Sequence, residues 1–262
     1  MTGDSKNMAN ILNDYFGSVF IKHDSEADNV PNMNYEYSIN DLTFTINDIS
    51  KKIDDLKFGK APGFDGISTN LIKNLKNELL KPLFILFQQS IRTGEVPKDW
   101  KSAKVVPIFK KGAKGEAGNY RPVSLTCIIC KILESIIRDA VALHLERNNL
   151  INKSQHGFAN NRSCQTNLIE FMDVLTKSVD SGNAVDVVYL DFSKAFDKIS
   201  HKKLLQKLEA HGVKGSILKW IENWLKDRKQ RVSVNGFVSD EEDVGSGVPQ
   251  GSVLGPLLLI IF

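Results

Sequence analysis

At 262 residues and 42% apolar content the chain is long enough to bury a substantial core, which excludes a disordered tail or a small disulfide-stapled module. Its 34 basic and 31 acidic side chains leave a net charge of +3, too slight an imbalance to announce a nucleic-acid binder by itself. Three cysteines make no disulfide framework, the N-terminus has no apolar signal region, and the longest apolar run, Leu257 to Phe262, is far below the roughly 20 residues that cross a bilayer, so a soluble intracellular protein of the cytoplasm or nucleus is expected.

Residues 1–45 are polar around one amphipathic piece, ILNDYFGSVF, and read as a loosely attached lead-in. Ile46, Ile49, Ile53 and Leu56 then recur at helical spacing, up to Phe58-Gly59. KAPGFDGIS (60–68) is turn chemistry, and Ser68 is placed to cap a helix bearing Leu71, Leu75 and Leu79, which Pro82 is expected to kink or break. VVPIF (105–109) reads as a short strand whose Pro107 suits an edge or bulge. Periodicity predicts a helix over about 128–147 and another over about 165–179, the latter with Leu168, Phe171, Met172 and Leu175 on one face. VDVVYLDF (185–192) reads as a strand buried on at least one face, followed by a helix around 204–210 that stops near Gly212 and another carrying Trp220 and Trp224. In QRVSVNGFVSDEEDV, Asn235-Gly236 predicts a tight hairpin turn. The closing GPLLLIIF ends on apolar residues, either as an element tucked into the core or, the favoured expectation, as one cut midway. This irregular alternation indicates an α+β fold with no internal repeat.

Five stretches bear chemistry. Asp191, at the end of the expected strand, reaches a sheet rim where a carboxylate can meet a metal or ligand, or simply cap the next turn; the strand alone leaves both open. Asp197 follows on a turn or helix and Phe196 is core by default. GVPQGSVLGP (247–256) sets Gln250 among glycines that admit close approach, although alone it is a plain loop. Residues 100–125 gather Lys101, Lys104, Lys110, Lys111, Lys114 and Arg121, either as a basic hairpin for phosphates or a solvated face. KDRKQR (226–231) either tracks a nucleic-acid backbone or solubilises a helix end. Cys127 and Cys130 have C-x-x-C spacing but sit in an apolar helical pattern without a second pair, so buried thiols are the better reading than zinc. His156 and His201 read as turn and helix-start residues rather than ligands.

Taken in order, KAPGFDGIS, KVVPIFKKG with NYRPVSL, QHGF with NRSC, YLDFSKAFD and GVPQGSVLGP closely resemble the reverse transcriptase of non-LTR retrotransposons, from about residue 46 to the end. ILNDYFGSVF also resembles the segment preceding the polymerase in such elements. The resemblance implies a right-hand fold, with fingers and part of the palm over 46–180, further palm over 181–262, and no thumb. It implies that Asp191, with the Phe192 carbonyl, holds two Mg²⁺ ions and is catalytic, that Phe196 lies under the incoming sugar, and that Gln250 and Gly251 line the nucleotide site. Lys110 or Lys111 and Arg121 would then grip the triphosphate, and Val123 would press on the templating base. An RNA template, a DNA primer and deoxynucleoside triphosphates are the implied partners, with no membrane and no inferable protein partner.

One departure stands out: the family's second carboxylate motif, an aromatic-Ala-Asp-Asp hairpin, is not found in this sequence. The expectation is an RNA-directed DNA polymerase domain that is inactive as this fragment. The alternative is a non-catalytic nucleic-acid-binding remnant of a decayed element. A Mg²⁺ phosphohydrolase with Asp191 as nucleophile would leave NYRPVSL and GVPQG without a task.

Overall fold

Short polar side chains mark where several helices begin, because each accepts a hydrogen bond from an N–H that helical geometry leaves unpaired. The computed structural model describes residues 4–21 and 37–262; the rest of the lead-in lies outside the described residues. Asp4 caps α1 (Ser5–Ser18), and Thr45 caps α2 (Ile46–Asp54) in a reciprocal box with Asp48. Ser68 caps α3 (Thr69–Asn74), which ends at Leu75, and α4 (Lys76–Thr93) follows directly with Pro82 inside it. The break thus falls seven residues before the proline, whose ring is accommodated in the early turns of α4. Ile72, rather than Leu71 or Leu75, is the buried apolar residue of α3.

After α5 (Lys98–Lys101) comes β1 (Ser102–Phe109), then a short 3-10 turn, then β2 (Tyr120–Leu125) antiparallel to β1. Pro107 pairs with Pro122, and β3 (Arg228–Val234) runs parallel to β1 only as far as Val105, so Pro107 does sit where one side of β1 is an edge. β3 turns into β4 (Phe237–Val238) through Asn235 and Gly236, both at positive φ (49° and 85°), the turn expected of that pair, and β5 (Glu242–Val244) adds to β3.

The main core is built around α6 (Ile128–Arg147), the fully periodic helix read from the sequence. Its buried Ile132, Leu133, Ile137 and Val141 meet α2, α4, α8 (His201–Ala210), α9 (Gly215–Leu225) and α10 (Gly255–Ile261). Trp220 and Trp224 are stacked in α9, and the closing apolar run forms α10, tucked into this core. A smaller core lies against the sheet, where Leu12 and Phe16 of α1 cover Val105 and Val232.

Three expectations need correction. The lead-in helix is not loosely attached: beyond that apolar contact, Lys6 bonds both the Val238 carbonyl and Asp240, and Asn13 bonds the Asp240 carbonyl. KDRKQR is not a free basic face, because it lies mostly in β3 and strand alternation sends Arg228 and Gln230 inward. Lys229 and Arg231 point out but pair with Asp243 and Glu241. Finally, VDVVYLDF is not a buried strand: residues 183–192 have no regular secondary structure, and Leu190 and Phe192 are 86% and 84% exposed. A strand exists only through a partner's hydrogen bonds, and the described sheet places none beside this segment. The preceding α7 (Cys164–Asp180) forms through its Ser163–Thr166 capping box, yet none of its residues is buried.

Candidate functional site

The best-assembled polar site surrounds the Gln250 loop, which three other parts of the chain hold in place. On one side, the Ser124 N–H at the end of β2 donates to the Gln250 carbonyl at 2.7 Å. Gly251, at φ +127°, lies so close there that a β-carbon would come within 2.4 Å of the Ser124 carbonyl oxygen. On a second side, the Val248 N–H donates to the Phe196 carbonyl, the Gly247 N–H to that of Ile199, and the Ser246 hydroxyl to that of Asp197. On the third, a carboxylate oxygen of Glu134 in α6 accepts from the N–H groups of Val253 and Leu254 at 2.7 and 3.2 Å.

These contacts gather Phe196, Asp197, Gln250, Pro122 and Ser124 around one cavity of about 30 Å³, closed on the α1 side by Phe16 and Phe20. That volume admits little more than a water molecule or two, so a nucleotide does not fit inside it. Phe196 packs edge-on against Phe158 at 6.3 Å, which connects the QHGF turn to the site. Burial pushes the Asp197 carboxyl above the ordinary carboxylate range, with Lys194 acting in the opposite direction.

Asp191 does not line this cavity; it lies on the exposed extended segment, as does Phe192. Lys110, Lys111 and Arg121 are exposed on the β1–β2 hairpin, whose turn is closed by Asn119 bonding the Ala113 carbonyl and Glu116. Strand alternation puts Arg121 and Val123 on the opposite face of β2 from Pro122 and Ser124. Gln250 therefore shares the cavity with Phe196 and Gly251 abuts Ser124, whereas Asp191, Arg121 and Val123 lie outside the cavity.

Asp191 and the Phe192 carbonyl are hard oxygen donors of the kind Mg²⁺ takes. Among the described residues, however, no three His, Cys, Asp or Glu side chains come together to hold a metal ion, so a two-ion centre is not assembled. Cys127 and Cys130 are buried free thiols, as expected, and burial pushes Cys127 up to about 12. His156 lies between two turns rather than in one, its ring bonding Thr166 and Glu170, and His201 opens α8.

Three buried charged residues escaped sequence reading: Lys101, which lies in α5 and not on the β1–β2 hairpin, Glu134 and Arg228. Glu134 is fully buried and Arg228 is 2% exposed, with one guanidinium N–H donating to the Trp224 carbonyl and the planar group over the Trp224 ring. Glu134 did leave a signal: it shares the three- and four-residue spacing of Cys130, Ile137 and Val141, an acidic residue on an otherwise apolar face. Arg228 left none, since it hides in a basic run.

A family model described as reverse transcriptase (RNA-dependent DNA polymerase) matches residues 108–262. The chain belongs to the reverse transcriptase family. The α+β, right-hand polymerase fold expected from the motifs is the fold of this family. This reverse transcriptase chain is 30% identical over 219 residues, 83% of its length, to "RNA-directed DNA polymerase from mobile element jockey" of Drosophila melanogaster, and covers 24% of that protein. It is 29% identical over 204 residues to "Probable RNA-directed DNA polymerase from transposon X-element" of the same organism, covering 78% of this chain and 22% of the relative. A chain of a "Partial Cas6-RT-Cas1--Cas2 complex" aligns with 82% of it at a TM-score of 0.41 and 17% identity, over 32% of that chain. The reverse transcriptase chain thus spans about a quarter of the length of these curated relatives. No described helix is long and apolar enough to cross a membrane.

Proposed function

We propose that this chain is the fingers (46–180) and part of the palm (181–262) of an RNA-directed DNA polymerase of a non-LTR retrotransposon, acting inside the cell on an RNA template, a DNA primer and deoxynucleoside triphosphates. The observation that carries this reading is the seating of Gln250 and Gly251 between the end of β2 and the Phe196 turn, which joins three motifs distant in sequence into one site.

Each residue has a role in this proposal. Phe196 supports the incoming sugar and excludes a 2′-hydroxyl by its bulk. Gln250 offers a donor and an acceptor to the nucleotide, and the backbone at Gly251 allows its approach. Arg121 clamps two phosphate oxygens in fork geometry, Lys110 or Lys111 adds a point charge, and Val123 presses on the templating base. Asp191 and the Phe192 carbonyl are the chain's own oxygen donors to Mg²⁺, which when bound lowers the pKa of the primer hydroxyl and neutralises departing pyrophosphate. That these donors form no metal cluster with other described carboxylates supports the reading that the chain alone does not extend a primer.

The test is purified chain with primed RNA, Mg²⁺ and nucleotides. The expected result is no extension, together with weak binding to the primed template whose affinity falls as salt rises and falls further in Arg121→Ala. Extension abolished by Asp191→Ala would overturn the inactivity; absence of binding at low salt would overturn the nucleic-acid reading. The alternative, a binding-only remnant, rests on the same lack of a metal cluster. It is supported instead if the reading frame beyond Phe262 stops at once, and refuted if that frame continues into an Asp-Asp hairpin.

A further inference from the structure

Glu134 is fully buried, 116 positions before the glutamine whose loop it touches, and accepts from two consecutive backbone N–H groups of that loop. Its other carboxylate oxygen accepts from the Cys130 thiol at 3.3 Å. A buried carboxylate is costly unless it is hydrogen-bonded and balanced by positive charge. Its charged neighbours here are Arg228 and Lys131, both of which interact with it favourably. Arg228 also lines the cavity beside Gln250 and has one guanidinium nitrogen without a partner. The loop's own bonds are internal on this side: Ser252 bonds the Pro249 carbonyl and accepts from the Gly255 N–H. Among the described residues, it is Glu134 that ties the Val253 and Leu254 amides to another element at the entrance to α10.

We propose that Glu134 is the positioning residue of the Gln250 loop: its carboxylate anchors the Val253–Leu254 turn to α6 and so fixes where Gln250 and Gly251 meet Ser124 and Phe196. The anchoring is a property of the chain itself. Only its consequence for nucleotide selection rests on the function proposed above, and the experiment reads the anchoring alone.

Amide-resolved hydrogen exchange on the whole chain tests this with two variants. Glu134→Asp withdraws the carboxylate by about 1.5 Å while keeping its charge, and Glu134→Gln keeps the reach and an acceptor oxygen while removing the charge. Glu134→Asp is expected to accelerate exchange at least about tenfold at Val253, Leu254 and the remote Ser124 amide, whose partner is the Gln250 carbonyl, while Ile137 and Val105 keep their protection. Glu134→Gln is expected to exchange at rates between those of the parent and Glu134→Asp at all three sites.

The proposal is overturned if Glu134→Asp leaves the loop protected, loosens the core equally, or frees Val253 and Leu254 without freeing Ser124. It is overturned as well if Glu134→Gln is as loose as Glu134→Asp. Should Glu134→Asp not fold, the parent chain suffices: Val253 and Leu254 amides exchanging as fast as unbonded loop amides sink it.

Discussion

Gly251 and Ser124 touch backbone to backbone, with the Gly251 α-carbon held where a side chain would drive into the Ser124 carbonyl 2.4 Å away. Gly251→Ala therefore faces both a collision with a strand end and an unfavourable φ of +127°. A loss of about 2 kcal/mol or more in urea denaturation is expected, with increased solvent access around Gln250. An unchanged midpoint would show that the loop is not seated there.

The Arg228 guanidinium stacks on Trp224 and, with Lys131, offsets the charge of Glu134. Arg228→Ala leaves that buried carboxylate with only Lys131 to offset it and removes the contact with Trp224, and a destabilisation of about 3 kcal/mol is expected. Arg228→Lys keeps the charge but loses the planar fork, so its urea midpoint should lie between those of the parent and Arg228→Ala. Equal midpoints for Ala and Lys would show that charge plays no part.

The three thiols should react at very different rates. Burial raises the Cys127 thiol to about 12 and pushes Cys130 up as well, whereas Cys164 is exposed at the start of α7. Since the thiolate is the reactive form, a thiol-specific chromophore at mildly alkaline pH should label one equivalent rapidly, and mass mapping should find it on Cys164. Two fast equivalents would contradict the burial of the pair.

Asp197 gives a pH dependence with a definite sign. Its carboxyl is raised above its ordinary value chiefly by burial, so the folded state prefers it protonated. That preference contributes stability at low pH which is lost as pH rises through the folded pKa. Asp197→Asn, which removes the charge, should raise the urea midpoint at neutral pH, and the gain should shrink as pH is lowered into the carboxylate range. A loss of stability at neutral pH would show that the charged form is held by a favourable partner.

The lead-in helix should behave as part of the domain. Leu12 is 1% exposed and covers Val105 and Val232, so Leu12→Ala should cost roughly 2–5 kcal/mol. A neutral effect in thermal or urea melts would mean that α1 is dispensable to the sheet.

Features that depend only on neighbours along the chain could be read from the sequence alone. Apolar spacing along 128–147 and around Trp220 and Trp224, and the Asn235-Gly236 pair, set α6, α9 and the β3–β4 turn, because i to i+4 bonding and turn dihedrals are local. The ordered motifs likewise carried the family resemblance. Tertiary structure decided the rest. Residues 183–192 have the residues of a strand but no described partner to pair with, and α7 is a capped helix whose apolar face meets no core. Arg228 in a basic run and Glu134 in an apolar one became buried charges only when β3 and α6 were brought together. The junction of Ser124, Phe196 and Gln250 arises in the same way: it consists of backbone hydrogen bonds between segments far apart along the chain, and such bonds leave no mark on side-chain pattern.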